Sequence, residues 1–243
     1  METIHYIILL AVFFLSPTII KIFLSVRINH RYKYGDEHNS KNLDAGTLLA
    51  KKTFLSGSGV MINVNNDLKN GESWYSPIDN VIHIGKLIDK SKCMAAIAEC
   101  YHELGHADHR NEMNFKQVYY HCHSLQQRRK FIPILSLIGW SGCAASLLFW
   151  ESGILAKFML AIFIATIALV FYFQYQEVIL ERDASNRAIQ HLVDDGFTSS
   201  EIQEAQQFLN DALRTYKVEL YSNAVKYIGV TLLLFLLTSG NEE

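Results

Sequence analysis

Among 243 residues, His102, Glu103 and His106 stand out for their spacing in the run His102-Glu103-Leu104-Gly105-His106. On a helix, residues four apart share a face, so the two imidazoles can offer nitrogens to one cation. The intervening glutamate then projects towards a water held there and can accept its proton. Two nitrogen ligands beside a carboxylate base suit a zinc-assisted hydrolysis. Gly105 leaves room beside the metal for substrate or a second backbone. A catalytic zinc takes three protein ligands and keeps one position open. The third must come from elsewhere, and Glu181 and, one helical turn earlier, Glu177 are the candidates.

The elements that must carry these residues can be read from pattern. Asp44 is placed to cap a helix over 44–55, which Ser56-Gly57-Ser58-Gly59 ends. Val60–Val64 and Asn80–Ile84 have the length and composition of short strands, with a turn-rich stretch between them. Ser91 can cap a helix running to about Arg110, which holds the His102 motif. A later helix continues through Glu177, Glu181 and Asp183 to about Asp195, where Gly196 stops it. Thr198-Ser199-Ser200-Glu201 has the form of a capping box and starts the last helix.

Half of the chain is apolar and the formal net charge is −2, which argues against disorder and against a nucleic-acid partner. Four apolar runs reach the length needed to cross a bilayer core: 5–25, 131–150, 154–173 and, more weakly, 221–238. The reading is therefore a mainly α integral membrane protein with about four transmembrane helices. The first run has no basic region before it and no small-residue cleavage site after it, so it reads as an uncleaved anchor. Segment 26–130 holds fifteen of the 22 lysines and arginines, and 174–218 four more. The positive-inside rule puts both segments in the cytoplasm, on a multi-pass protein of the cell (inner) membrane. The whole chain then forms one membrane unit, because the metal ligands flank the 131–173 hairpin.

The four cysteines show no paired spacing and read as reduced thiols. The cluster His121-Cys122-His123 reads as incidental, since adjacent side chains point apart. No span interior contains His, Asp or Glu, which weighs against a metal transporter.

The segments YSPIDNVIHI (75–84), AAIAECYHELGHADH (95–109) and ERDASNRAIQHL (181–192) resemble the neutral zinc metallopeptidases of the YugP-like type, bacterial membrane proteases. The resemblance covers most of the chain. It implies a small cytoplasmic α+β zincin-like subdomain, zinc held by His102, His106 and Glu181, and Glu103 as catalytic base. It also implies that Asp183 supports a histidine ligand; an Asp183–Arg187 pair at i,i+4 is the alternative. The strand holding His83 resembles the edge strand along which zincins align substrate. The chain departs from the family at Cys100-Tyr101 before the first histidine, and at Val178-Ile179-Leu180, where the family has a proline. The expected activity is hydrolysis of peptide bonds in membrane or membrane-proximal proteins by a zinc-activated water. Tyr75, Tyr101 and Arg187 are candidate oxyanion donors. The competing reading is a non-catalytic membrane scaffold or regulator with a structural or vestigial zinc.

Overall fold

The computed structural model of the chain describes residues 2–34, 39–57, 59–66, 68, 72–112, 130–131, 134–135, 137–139, 141–142, 144–145 and 154–239. These fall into two compact units: one made of Met1–Ile22, Ser124–Glu177 and Tyr216–Glu243, the other of Phe23–His123 and Val178–Thr215.

The second unit carries His102, Glu103, His106 and Glu181. It begins with the end of α1 (Glu2–Tyr34) and continues through α2 (Ala45–Ser56), β1 (Met61–Asn65), β2 (Ser73–Ser76) and β3 (Val81–Gly85). Next come α3 (Lys86–Lys90) and α4 (Met94–Asn111). The last part of α5 (Ile154–Asp194) and the first part of α6 (Ser199–Ser239) complete it. The caps expected at Asp44 and Thr198 are in place. The Asp44 carboxylate accepts from the Thr47 amide at 2.7 Å, and Gly57 closes α2 in the left-handed conformation. Thr198 and Glu201 exchange bonds at the start of α6, with the Glu201 carboxylate accepting from the Thr198 amide at 2.7 Å. Gly196, at φ +70°, turns the chain between α5 and α6. α4 starts two residues later than Ser91 would place it, with Cys93 at its cap.

The three strands form one sheet in the order β1-β3-β2, with β1 parallel and β2 antiparallel to β3. The strand holding His83 is therefore central and paired on both sides, which corrects its expected place at an edge. Its Ile82 and Ile84 are fully buried and pack with Leu49 of α2, and with Ile97, Tyr101 and Leu104 of α4. Ala188 and Leu192 of α5 and Phe208 of α6 complete that core. Asp211 on α6, almost fully buried, draws Arg27 (3.0 Å) and Arg31 (3.5 Å) from α1 and Arg214 (3.2 Å) from its own helix.

In the first unit a small cluster gathers Phe163 and Val170 of α5 with Tyr227 of α6. A Cβ on Gly139 would lie 3.2 Å from the Thr166 methyl, so the chain approaches α5 closely there.

The expectation of about four transmembrane helices is corrected. Among the described residues one helix, Lys157–Asp194, is long and apolar enough to cross a membrane. Where its side chains are described, α1 carries Lys21, Arg27 and Arg31, and all three are engaged in ion pairs. α6 likewise brings Arg214, Lys217, Glu219 and Lys226 before its apolar end. Half of the 131–150 span, with Cys143, lies outside the described residues, as do His121, Cys122 and His123.

Candidate metal centre

α4 is built to lie against α5. Ala95, Ala96, Ala98 and Ala107 are buried along it, and a Cβ at Gly105 would stand 2.4 Å from the Ala184 carbonyl oxygen. This close approach brings Glu181 to the two histidines 79 residues from His102 in sequence. One ligand atom from each of His102, His106 and Glu181 lies within 4.8 Å of the others. Glu181 Oε2 is 3.1 Å from His102 Nε2 and 3.7 Å from His106 Nε2. The rings of His102 and His106 meet edge to face, with centroids 4.7 Å apart. Glu177 is not part of this group. Two imidazole nitrogens and a carboxylate oxygen, partly buried, match the donor set of a catalytic zinc site.

Ser185, one turn beyond Glu181, fixes the His102 tautomer. Its hydroxyl donates to the Glu181 carbonyl at 2.8 Å, and its oxygen lies 3.2 Å from His102 Nδ1. With the hydroxyl hydrogen spent on the carbonyl, the ring donates through Nδ1–H, so that Nε2, which faces Glu181, is the nitrogen that offers a lone pair once the ring is neutral. Burial alone would lower the His102 imidazole, but its bond to Glu181 and the charges of Glu103, Glu99 and Glu181 carry it up to about 9.

Glu103 is buried at 6% exposure. Its Oε1 lies 3.0 Å from Ser73 Oγ on β2, and the same hydroxyl is 2.6 Å from Oε1 of Glu99. Burial and the nearby Glu103 push the Glu99 carboxyl up to about 7, against the pull of His102 and Ser73.

The remaining candidates lie elsewhere. Asp183 meets His109 Nδ1 at 3.2 Å and accepts from Arg187 Nε at 2.8 Å, so the i,i+4 pair is present and the partner histidine is neither His102 nor His106. Arg187 also forks onto both Glu112 oxygens, at 2.6 and 3.0 Å. Tyr101 is fully buried and donates to Asp195, which also pairs with Lys52 at 2.6 Å. Tyr75 donates to Asn80 at 2.7 Å. His83 stacks on Trp74 at 3.9 Å and meets Asn63 at 3.2 Å. Strand alternation puts that row on the sheet face opposite Ser73. Cys93 and Cys100 are free and buried, and burial pushes the Cys100 thiol up, away from reactivity.

Sequence reading missed Ser73, Ser185 and the role of Glu99. Glu99 did carry a signal, as the lone carboxylate in the apolar run before the motif. Ser185 lies four residues after Glu181, the spacing of one helix face.

A family model described as "Putative neutral zinc metallopeptidase" matches residues 7–235. No curated protein and no solved structure matches the chain.

Proposed function

Because the chain belongs to this zinc metallopeptidase family, with Zn2+ as its cofactor, we propose that it hydrolyses peptide bonds at the α4–α5 site. In this reading His102, His106 and Glu181 hold the metal and Glu103 is the general base. The observation that carries it is the convergence of the three donor atoms beside a buried glutamate on the same helix. Bound there, zinc supplies Lewis acidity, lowering the pKa of a water and polarising a carbonyl. Glu103 takes the proton of the attacking water and returns it to the leaving amine. Ser185 keeps the His102 ring in the tautomer that offers Nε2, and Gly105 lets α4 and α5 approach closely enough for Glu181 to join.

The substrates in this reading are membrane or membrane-proximal proteins. α5 exposes Phe158, Ile164, Leu169 and Tyr172 over a length that suits a bilayer. Glu181 follows that apolar stretch by two turns of sequence. The excess of lysine and arginine in 26–130, the segment that carries His102, Glu103 and His106, supports a cytoplasmic position for the site in this reading.

The test compares zinc content and peptide cleavage in wild type, Glu103→Gln and Glu181→Ala. Glu103→Gln should keep zinc and lose cleavage, whereas Glu181→Ala should lose both. A Glu103→Gln protein that cleaves like wild type would overturn the assignment of the base and favour a structural zinc. Full zinc retention in Glu181→Ala would remove Glu181 from the ligand set.

A further inference from the structure

Ser73, Glu99 and Glu103 form an arrangement that the reaction as outlined does not require. Glu99 and Glu103 stand four residues apart on one face of α4 and point at a single hydroxyl from the sheet. Ser73 Oγ makes two short contacts, 2.6 Å to Glu99 Oε1 and 3.0 Å to Glu103 Oε1. A carboxylate only accepts, and a serine hydroxyl has one hydrogen to give. With both glutamates ionised, one contact would set two oxygens together with no hydrogen between them, beside two like charges. A second hydrogen belongs in the chain, and a base that must accept a proton cannot be the group that carries it.

We propose that Glu99 and Ser73 are positioning residues for the base: a protonated Glu99 donates to Ser73 Oγ, and the Ser73 hydroxyl donates to Glu103 Oε1. The chain fixes the Glu103 carboxylate by one oxygen and leaves Oε2 free to meet the water. It also keeps a second negative charge from building up one helical turn from the metal ligands. No proton is consumed, since Glu99 holds its own throughout. The naming of Glu103 as base, and with it the choice of Glu99 as the carrier of the extra proton, rests on the peptidase reading; the presence of a second hydrogen in the chain does not.

Two measurements test the chain. Infrared spectra at neutral pH, with carbon-13 at the glutamate side-chain carboxyl, should show a protonated carboxylic acid in both the chelated and the zinc-loaded protein. Glu99→Gln should remove that band. In cleavage assays Ser73→Ala and Glu99→Leu should lower kcat up to about tenfold, the worth of one hydrogen bond, with KM and zinc content unchanged. Glu99→Gln should recover most of the loss, because its amide can donate to Ser73 as the acid does. Absence of the acid band in wild type, or a Glu99→Gln protein as impaired as Glu99→Leu, would overturn the proposal. If wild type cleaves nothing, the peptidase reading falls while the infrared result still decides the chain. Should Glu99→Leu fail to fold, Ser73→Ala and the infrared band decide without it.

Discussion

Replacing Gly105 by alanine should dismantle the metal centre without touching a ligand. The added Cβ would lie 2.4 Å from the Ala184 carbonyl oxygen and 3.1 Å from its carbonyl carbon and Cα, all backbone atoms of α5. Ordinary contact begins near 3.4 Å, so the two helices must part by about 1 Å, an overpacking that costs about 1–3 kcal/mol. Metal–ligand distances tolerate about 0.2 Å. Moving Glu181 that far from His102 and His106 should therefore weaken zinc binding by at least about tenfold to a hundredfold, the scale set by milder outer-shell changes. The assay is zinc titration with a competing chelator, run beside thermal melting of the metal-free protein. Gly57→Ala is the control. Its Cβ meets nothing within 4 Å but its φ is +59°, so it should lose about 1–2 kcal/mol from backbone strain and keep its zinc. A Gly105→Ala protein with wild-type zinc affinity and melting temperature would refute the close-approach argument.

Three further outcomes follow from the same geometry. The His102 imidazole is carried from 6.5 to about 9 in the metal-free protein. Its contribution to stability is thus fully present below 6.5 and lost as pH rises through about 9, whereas zinc needs the neutral ring and should gain affinity across that window. Calorimetry in buffers of different ionisation enthalpy should accordingly find close to one proton released on zinc binding at neutral pH. Ser185→Ala removes the acceptor of His102 Nδ1 and should weaken zinc binding by about tenfold to a hundredfold in the same chelator titration. Tyr101→Phe leaves the Asp195 carboxylate short of a donor and should cost about 1–3 kcal/mol in denaturant unfolding, with kcat unchanged, since the phenol is committed to Asp195.

What could be read from the sequence was what is local. The 102–106 spacing, the Asp44 cap, the Thr198–Glu201 box and the Gly196 turn are each decided within one or two helical turns, and each is present. β2 was missed because four residues, Ser73–Ser76, give too short an alternation to register, although Trp74 and Tyr75 favour strands. The central position of β3 depends on β2 and could not be foreseen without it. The choice of Glu181 over Glu177 is a matter of which turn of α5 faces α4, and Gly105 against Ala184 sets that. The count of spans misled because apolar length was weighed without the ion pairs of Lys21, Arg27 and Arg31 on the first run's helix. Ser73 gave no signal of its own and Ser185 only its four-residue spacing from Glu181, as a serine's role depends on its neighbours in space.

The 79-residue gap between His102 and Glu181 has a consequence for the chain while it is being made. A nascent polypeptide, or a fragment cut short before residue 181, carries the complete HExxH run but only two of the three donors. Such a piece has no third arm to hold the ion in place and no α5 backbone for Gly105 to lie against. The order of synthesis therefore sets the order of assembly: the three-donor group is complete only when the segment carrying Glu181 has been made and lies against α4.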